Sequence, residues 1–325
     1  LVLHDNSRGA MKIVQLITEI GEGGAEKILF SIAVHLQTTG HSVTVISLKP
    51  LPPPGNRIVD SLKFAGVTDI RSLNMSRLDF QRLFLLRREL LELKPPLVHS
   101  HLFHANVFAR LACVFSGIKV VNSIHIAERR MDRFWHFVID RLTFFLCDVS
   151  TAVSVAARNF HAARTLISQD SIKVVYNGIS LPEKLNSQEI DALRKDWGME
   201  SCSKLIGSTG RLEPQKGYDI LLKMLSALSV KVPQGEKWGL VIVGEGSERA
   251  HLEKLAAEAP ENIIVKLPGY RPDAARIPGA FDLFIMPSRY EGFGLVLAEA
   301  MSHGVPAQIG RASCRERVKI SVVGV

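Results

Sequence analysis

The chain has 325 residues, 46% apolar and 22% charged, a length and balance that suit two globular α/β domains and exclude a disordered or fibrous chain. Its formal charge of +8 is uneven, because residues 1–180 hold 21 Lys/Arg against 14 Asp/Glu while residues 181–308 hold 15 against 17. No apolar run approaches the ~18 residues of a membrane span, and the opening residues show no basic-plus-apolar signal pattern. Cys113, Cys147, Cys202 and Cys314 form no C-x-x-C pair and have no His at metal-ligand spacing, so free thiols in a reducing cytoplasm are expected.

Residues 1–10 are polar and patternless and are expected to lie upstream of a true start at Met11. MKIVQLIT reads as a buried parallel strand, followed by a turn with Gly21, Gly23 and Gly24. A helix, AEKILFSIAVHLQTTG, and a strand, HSVTVISL, complete a βαβ unit. A helix over about 79–93, the strand LVHSH, the helix HANVFARLACVFSG and the strand VVNSIH continue the alternation. A long amphipathic helix over 129–146, the strand VSTAVS, a helix over about 155–167 and the strand IKVVYNG end the first half. SLPEKLNSQE reads as a linker. The strand–helix alternation then restarts with KLIGSTG, GYDILLKMLSAL, GLVIVGEG, SERAHLEKLAAEA, NIIVKLPG, FDLFIMPS and GLVLAEAMSHG. The pattern predicts an α/β chain of two doubly wound parallel sheets, over 11–180 and 181–308.

Three groups of residues carry chemistry. Gly23, Gly24, Ala25 and Glu26 open a helix after the first strand, where unpaired N–H groups and the helix dipole suit a phosphate or sugar oxygen. A tight βα turn favours glycine whatever binds there, so both readings stand. Gly210, Arg211 and Leu212, then Lys216 and Gly217, follow the first strand of the second sheet, where ligands of such sheets bind. Fixed cations there would stabilise a departing diphosphate, although a surface Arg or Lys is often only solvated. Glu291-Gly292-Phe293-Gly294-Leu295 forms the mouth of a helix that carries Glu299. Paired carboxylates suit sugar or ribose hydroxyls, or a hydrolase acid/base pair for which a carboxylate deep on a helix is poorly placed.

GGAE, HSHLFHAN, VVYNGI, GRL…KG, VGEG and EGFGLVLAEAM before GVP stand in an order and spacing that resemble the retaining GT-B glycosyltransferases of family 4, over about 11–308. That family includes many bacterial mannosyl-, glucosyl- and N-acetylglucosaminyltransferases. The resemblance implies two Rossmann-like domains, acceptor side first and donor side second, with the site between them. It further implies transfer of a hexose-type sugar from a nucleotide diphosphate to a glycan or polyprenyl-diphosphate-linked acceptor. By position, Arg211 and Lys216 match the pair gripping the donor diphosphate, and Glu291 the carboxylate holding donor-sugar hydroxyls. Gly292 to Leu295 match the loop touching sugar and phosphate, and Glu299 the ribose carboxylate. Gly244, Glu245 and Gly246 match the start of a donor-side loop, Leu267, Pro268 and Gly269 the segment meeting the base, and His125 a histidine near the donor sugar. A lone histidine at a strand end is more often structural.

The resemblance implies a front-face mechanism without metal or cofactor, and the chain has no D-x-D. The helix 129–146 interleaves Arg129, Arg130, Arg133 and Arg141 with Phe134, Trp135, Phe137, Phe144 and Phe145. That mix suits an anionic membrane surface, hence a cytoplasmic enzyme peripheral at the inner face of the plasma membrane, or else aromatics turned to the protein's own core. The acidic second half speaks against a nucleic-acid partner. After Pro306 the family pattern stops, and IGRASCRERV reads as a translated sequencing adapter. Residues 309–325 are therefore expected to be foreign to the gene and the second sheet incomplete, which puts the activity of this chain in doubt. The competing readings are a GT-B sugar-nucleotide 2-epimerase, which lacks EGFGLVLAEAM, and an inactive donor-binding fragment.

Overall fold

The computed structural model describes residues 9–21, 23–75, 80–125 and 134–310, and divides into two compact units, Leu1–Asn177 and Gly178–Val325. In the first, β1 (Lys12–Ile17), β2 (Ser42–Ser47), β3 (Asp69–Ser72), β4 (Leu97–His101), β5 (Lys119–Ile124), β6 (Val149–Ala152) and β7 (Ile172–Val174) alternate with helices. These are α1 (Gly24–Thr38), α2 (Arg57–Phe64), α3 (Phe80–Leu93), α4 (Phe103–Ala112), α5 (Phe134–Thr143) and α6 (Val155–Thr165). The strands pair in parallel in the order β3-β2-β1-β4-β5-β6-β7. Successive strand residues face opposite sides of the sheet, so each strand feeds two cores. Val14, Leu16 and Ile46 pack with Leu86 and Leu90 of α3 and Phe108 of α4. Ile17, Val43 and Val45 pack with Leu29 and Ala33 of α1 and Leu62 of α2.

The second unit holds α7 (Ser187–Asp196), β8 (Lys204–Thr209), α8 (Tyr218–Lys223), α9 (Leu225–Ser229), β9 (Trp238–Val243), α10 (Arg249–Ala257), β10 (Ile263–Gly269), β11 (Leu283–Met286), α11 (Leu295–Ser302) and β12 (Ala307–Ile309). Its parallel order is β10-β9-β8-β11-β12. In each sheet the order reverses beside its first strand, between β1 and β4 and between β8 and β11, and such switch points are where open α/β sheets bind ligands.

Several elements differ from the sequence reading. α2 and β3 were not expected; both are short, and every residue of β3 is only half-buried, so its apolar signal is weak. The segment expected as a linker becomes α7 from Ser187, fixed by a capping box in which Asn186 and Glu189 exchange bonds of 2.9 Å. The expected helix GYDILLKMLSAL, residues 217–228, breaks at Met224 into α8 and α9. Of the helix expected over 129–146, α5 and a 3₁₀ turn, Phe144–Leu146, are seen; Arg129, Arg130 and Arg133 lie outside the described residues. The chain also enters the sheet after Pro306, where β12 pairs in parallel with β11. The break expected near 308 thus falls within a strand; the stretches 1–8 and 311–325 lie outside the described residues.

Candidate functional site

At the switch point of the second sheet, two loops meet. The β8–α8 loop leaves Gly210 at φ +155°, turns through Pro214–Lys216, and enters α8 through Gly217 at φ +68°. A Cβ at Gly217 would stand 2.4 Å from the carbonyl oxygen of Pro287, so only glycine lets the loop after β11 approach this closely. That second loop is stitched to the first along its length. Arg289 N–H donates to Gln215 O (2.8 Å), Gln215 Nε2 to Tyr290 O (3.0 Å), and Arg289 Nη1 to Pro214 O (2.6 Å). The Arg289 guanidinium also grips Asp219 of α8 with two bonds of 2.8 Å, and its hydrogen bonds hold that carboxyl below the ordinary carboxylate range.

The stitching brings Lys216 and Glu291 together. Lys216 Nζ lies 2.5 Å from Glu291 Oε1, each side chain 15% exposed, and Ser288 Oγ donates to the same oxygen at 2.7 Å. Beneath them Tyr218 is buried, with its hydroxyl 3.5 Å from Ser208 Oγ, and burial pushes its pKa up. Arg211 is exposed; its carbonyl accepts from Glu213 N–H at 2.9 Å, and its side chain makes no hydrogen bond or ion pair among the described residues. Gly294 caps α11 at φ +78°, Phe293 is buried, and Leu295 is the first helical residue, so the positive end of the α11 dipole stands at the Gly292–Leu295 turn. Glu299 is buried within α11 at 7% exposure.

Gly244 and Gly246 have a structural role of their own. A Cβ at Gly244 would stand 1.9 Å from Gly210 O, and one at Gly246 2.4 Å from Leu212 O. The loop after β9 therefore lies directly on the backbone that carries Arg211, fixed by Leu212 N–H to Glu245 O (2.8 Å). Leu267 is buried in β10, and its carbonyl accepts from Arg249 Nη2 at 3.0 Å. Glu245 takes the other arm of Arg249 at 2.5 Å, beside Gly269 at φ +91°.

In the first unit, Gly23 is the N-cap of α1 and Gly24 its first residue. A Cβ at Gly23 would sit 2.5 Å from Glu26 Oε2, so the carboxylate folds back over the turn. His125, at the end of β5, is not alone. His101 Nδ1 lies 2.9 Å from His125 Nε2, and His101 Nε2 lies 2.8 Å from Gln15 Oε1. His99 Nε2 meets Ser123 Oγ at 2.8 Å, which in turn meets Thr151 Oγ1 at 2.9 Å. Burial disfavours the charged ring and lowers His125 to about 3, His99 to about 4 and His101 well below its ordinary value. All three are neutral imidazoles at pH 7.

Sequence reasoning missed Ser288, Gln215, the Arg289–Asp219 clamp, Gln15, His99 and His101. The H-x-H spacing in LVHSH was the available signal, since residues two apart on a strand share a face. Among the described residues no group of three or more His, Cys, Asp or Glu is placed to hold a metal ion, and no helix is long and apolar enough to cross a membrane.

Residues 22–182 match the sequence profile of Glycosyltransferase Family 4, and residues 189–314 that of Glycosyl transferases group 1. A Bacillus subtilis protein assigned as a glycosyltransferase, EpsF, is 28% identical over 65% of this chain and 56% of its own length. The lipopolysaccharide core biosynthesis mannosyltransferase LpsB of Rhizobium meliloti is 31% identical over 35% of this chain and 33% of its own. The chain thus spans about half the length of EpsF. Among solved structures, HepE of Anabaena in complex with UDP superposes with a TM-score of 0.76 at 20% identity, covering 93% of this chain and 81% of that one. The same protein in complex with UDP-glucose gives 0.76 at 21% identity over the same shares. At that identity the likeness establishes the fold.

Proposed function

We propose, on the premise that the chain belongs to the GT-B glycosyltransferases of the family 4 type, that it moves a hexose-type sugar from a nucleotide diphosphate to a glycan or lipid-linked acceptor in polysaccharide or glycolipid synthesis. The observation that carries this reading is the Lys216–Glu291 pair at the second switch point. A half-buried ion pair parts readily only if each partner finds a new one, because a charge left alone in such a place is costly. A nucleotide sugar offers both partners at once: the diphosphate takes Lys216, and vicinal hydroxyls take the Glu291 carboxylate. The HepE complexes with UDP and UDP-glucose support a ligand of that class. Arg211 adds a second cation, the α11 N-terminus a third positive end, and Glu299 a carboxylate for ribose.

The chemistry is retaining. As the bond from the anomeric carbon to the leaving phosphate oxygen breaks, that oxygen takes the acceptor hydroxyl proton, and the acceptor oxygen bonds to the same face. Negative charge grows on the diphosphate, where Lys216 and Arg211 stabilise it without a metal ion. A donor screen read by mass spectrometry of product and released nucleotide tests the reading, run with and without EDTA. Transfer unaffected by the chelator is expected. Loss restored by Mn²⁺ or Mg²⁺ would refute the metal-free step, and interconversion of free UDP-sugars without transfer would refute the transferase assignment. Two further parts of the proposal are an acceptor carried on a polyprenyl diphosphate and seating of the first unit on an anionic membrane at the cytoplasmic side.

A further inference from the structure

Two buried groups, Gln15 and His101, stand in series before His125. Gln15 Oε1 lies 2.8 Å from His101 Nε2, and His101 Nδ1 lies 2.9 Å from His125 Nε2. Gln15 and His101 are fully buried and His125 is 8% exposed, so water does not enter the chain of bonds. Each neutral imidazole has one N–H to give and one lone pair to receive. An amide oxygen only accepts. His101 must then carry its proton on Nε2, which turns its Nδ1 into an acceptor. His125 must in turn donate from Nε2. Its remaining lone pair stands on Nδ1, which has no hydrogen-bond partner among the described residues. The neighbouring ring, His99, is engaged with Ser123 and does not compete for either bond. The Gln15 amide nitrogen is buried without a partner, so this side chain makes its only bond through oxygen among the described residues.

We infer that Gln15 is a positioning residue: through His101 it fixes His125 in the Nε2–H tautomer and presents Nδ1 as a hydrogen-bond acceptor at the first switch point. What such a nitrogen takes from a substrate is a neutral donor, a sugar hydroxyl. A phosphate or carboxylate oxygen offers it no proton, and a neutral ring offers that oxygen no charge. This consequence rests on the reading that places His125 near the donor sugar; the relay itself does not.

The tautomer is measured directly, without substrate. In the full chain labelled with ¹⁵N at histidine, two-bond ¹H–¹⁵N correlation at pH 7 separates protonated from bare ring nitrogens. His125→Gln and His101→Gln identify the two rings by loss of signal. Expected is Nε2–H on both. Gln15→Met removes the acceptor at nearly the same length; it should convert His125 to a mixture or to Nδ1–H while His99 keeps its pattern. Nδ1–H on His125 in the unmodified protein, the result of a relay driven from the Gln15 amide nitrogen, overturns the inference whatever the variants do. An unchanged His125 in folded Gln15→Met overturns the role of Gln15. Whether His125 meets a sugar is read separately, from the donor KM of His125→Gln.

Discussion

The two sheets share a strand order around their switch points, yet the chemistry built there differs. At the first, between β1 and β4, the inner side chains are neutral: three imidazoles, an amide and hydroxyls, nearly all buried. At the second, between β8 and β11, they are ions in pairs, Lys216 with Glu291 and Arg289 with Asp219, most of them partly exposed. Sheet topology therefore positions a site without choosing its ligand. A neutral, hydrogen-bonding crevice suits hydroxyls; a cationic one with carboxylates close by suits a diphosphate joined to a sugar.

The sharpest way to break the contrast is to remove the ions. Lys216→Ala or Arg211→Ala should lower kcat by ~10² or more, about 3 kcal/mol of barrier, as for loss of one charge-stabilising donor. The first should be the worse, because it also strands Glu291 beside Ser288. Steady-state kinetics with the identified donor checks this, and activity within a few-fold of the parent would remove the cations from the chemical step.

Acid should act on the two units differently. His99 and His125 are folded as neutral rings with pKa values of about 4 and about 3, against 6.5 for a free ring. Below pH 6.5 the unfolded chain binds protons that the folded unit refuses, so stability falls with pH from there until the folded values are reached. At pH 5 each such ring costs about 2 kcal/mol. The second unit has the opposite group: Asp219 is held below 3.8 by Arg289, so its contribution persists at pH 5 and is lost only as pH falls through the folded value. Calorimetry between pH 7 and 5 should show the first unit's transition dropping and the second's nearly still. Parallel shifts would mean the imidazoles titrate freely.

The clamp itself offers a finer test. Arg289→Lys keeps the charge but loses the fork that holds Asp219 and Pro214 O together. Because Arg289 sits two residues before Glu291 and binds the loop carrying Lys216, loosening it should lower kcat about tenfold through misplacement of that pair. Restoration by exchanging the two partners, Arg289→Asp with Asp219→Arg, is expected. An unchanged kcat in Arg289→Ala would reduce the clamp to surface stitching.

Much of this architecture was legible because parallel strands buried on both faces leave continuous apolar runs, and both sheets could be read that way. β3 and β12 were lost because three or four residues, none of them buried, carry too little pattern, and α7 because a proline-containing polar stretch hid the N-S-Q-E capping box. At the site, Lys216 and Glu291 were named separately from their motifs, but their contact spans 75 residues of sequence and only the fold supplies it. Gly244 and Gly246 read as ligand glycines, whereas the backbone of Gly210–Leu212 already requires them. Gln15 was invisible, since one polar residue in an apolar strand gives no hint of a partner 86 positions away.

The smallest expected effect concerns the segment of α5 and the 3₁₀ turn that follows it. The sequence left open whether its aromatics face the core or the outside, and the structure divides them. Phe137 is buried at 8%, whereas Phe134, Trp135 and Phe145 are 58%, 69% and 79% exposed and Leu142 is 66%. Arg141 is already engaged, donating to the carbonyls of Thr165 and Leu166 at 2.9 and 2.8 Å at the end of α6. Its charge is thus shared with a helix C-terminus and contributes little to a lipid surface. The aromatic face remains, and a ring with a polar edge such as Trp135 suits the headgroup boundary. If that face seats on lipid, Trp135→Ala with Phe145→Ala should reduce the fraction floating with anionic liposomes several-fold and leave melting unchanged, since neither ring is in the core. Omitting the anionic lipid should weaken binding at least several-fold, since each basic residue held near the surface contributes about 1 kcal/mol. Equal failure to float with either lipid would reject the membrane assignment.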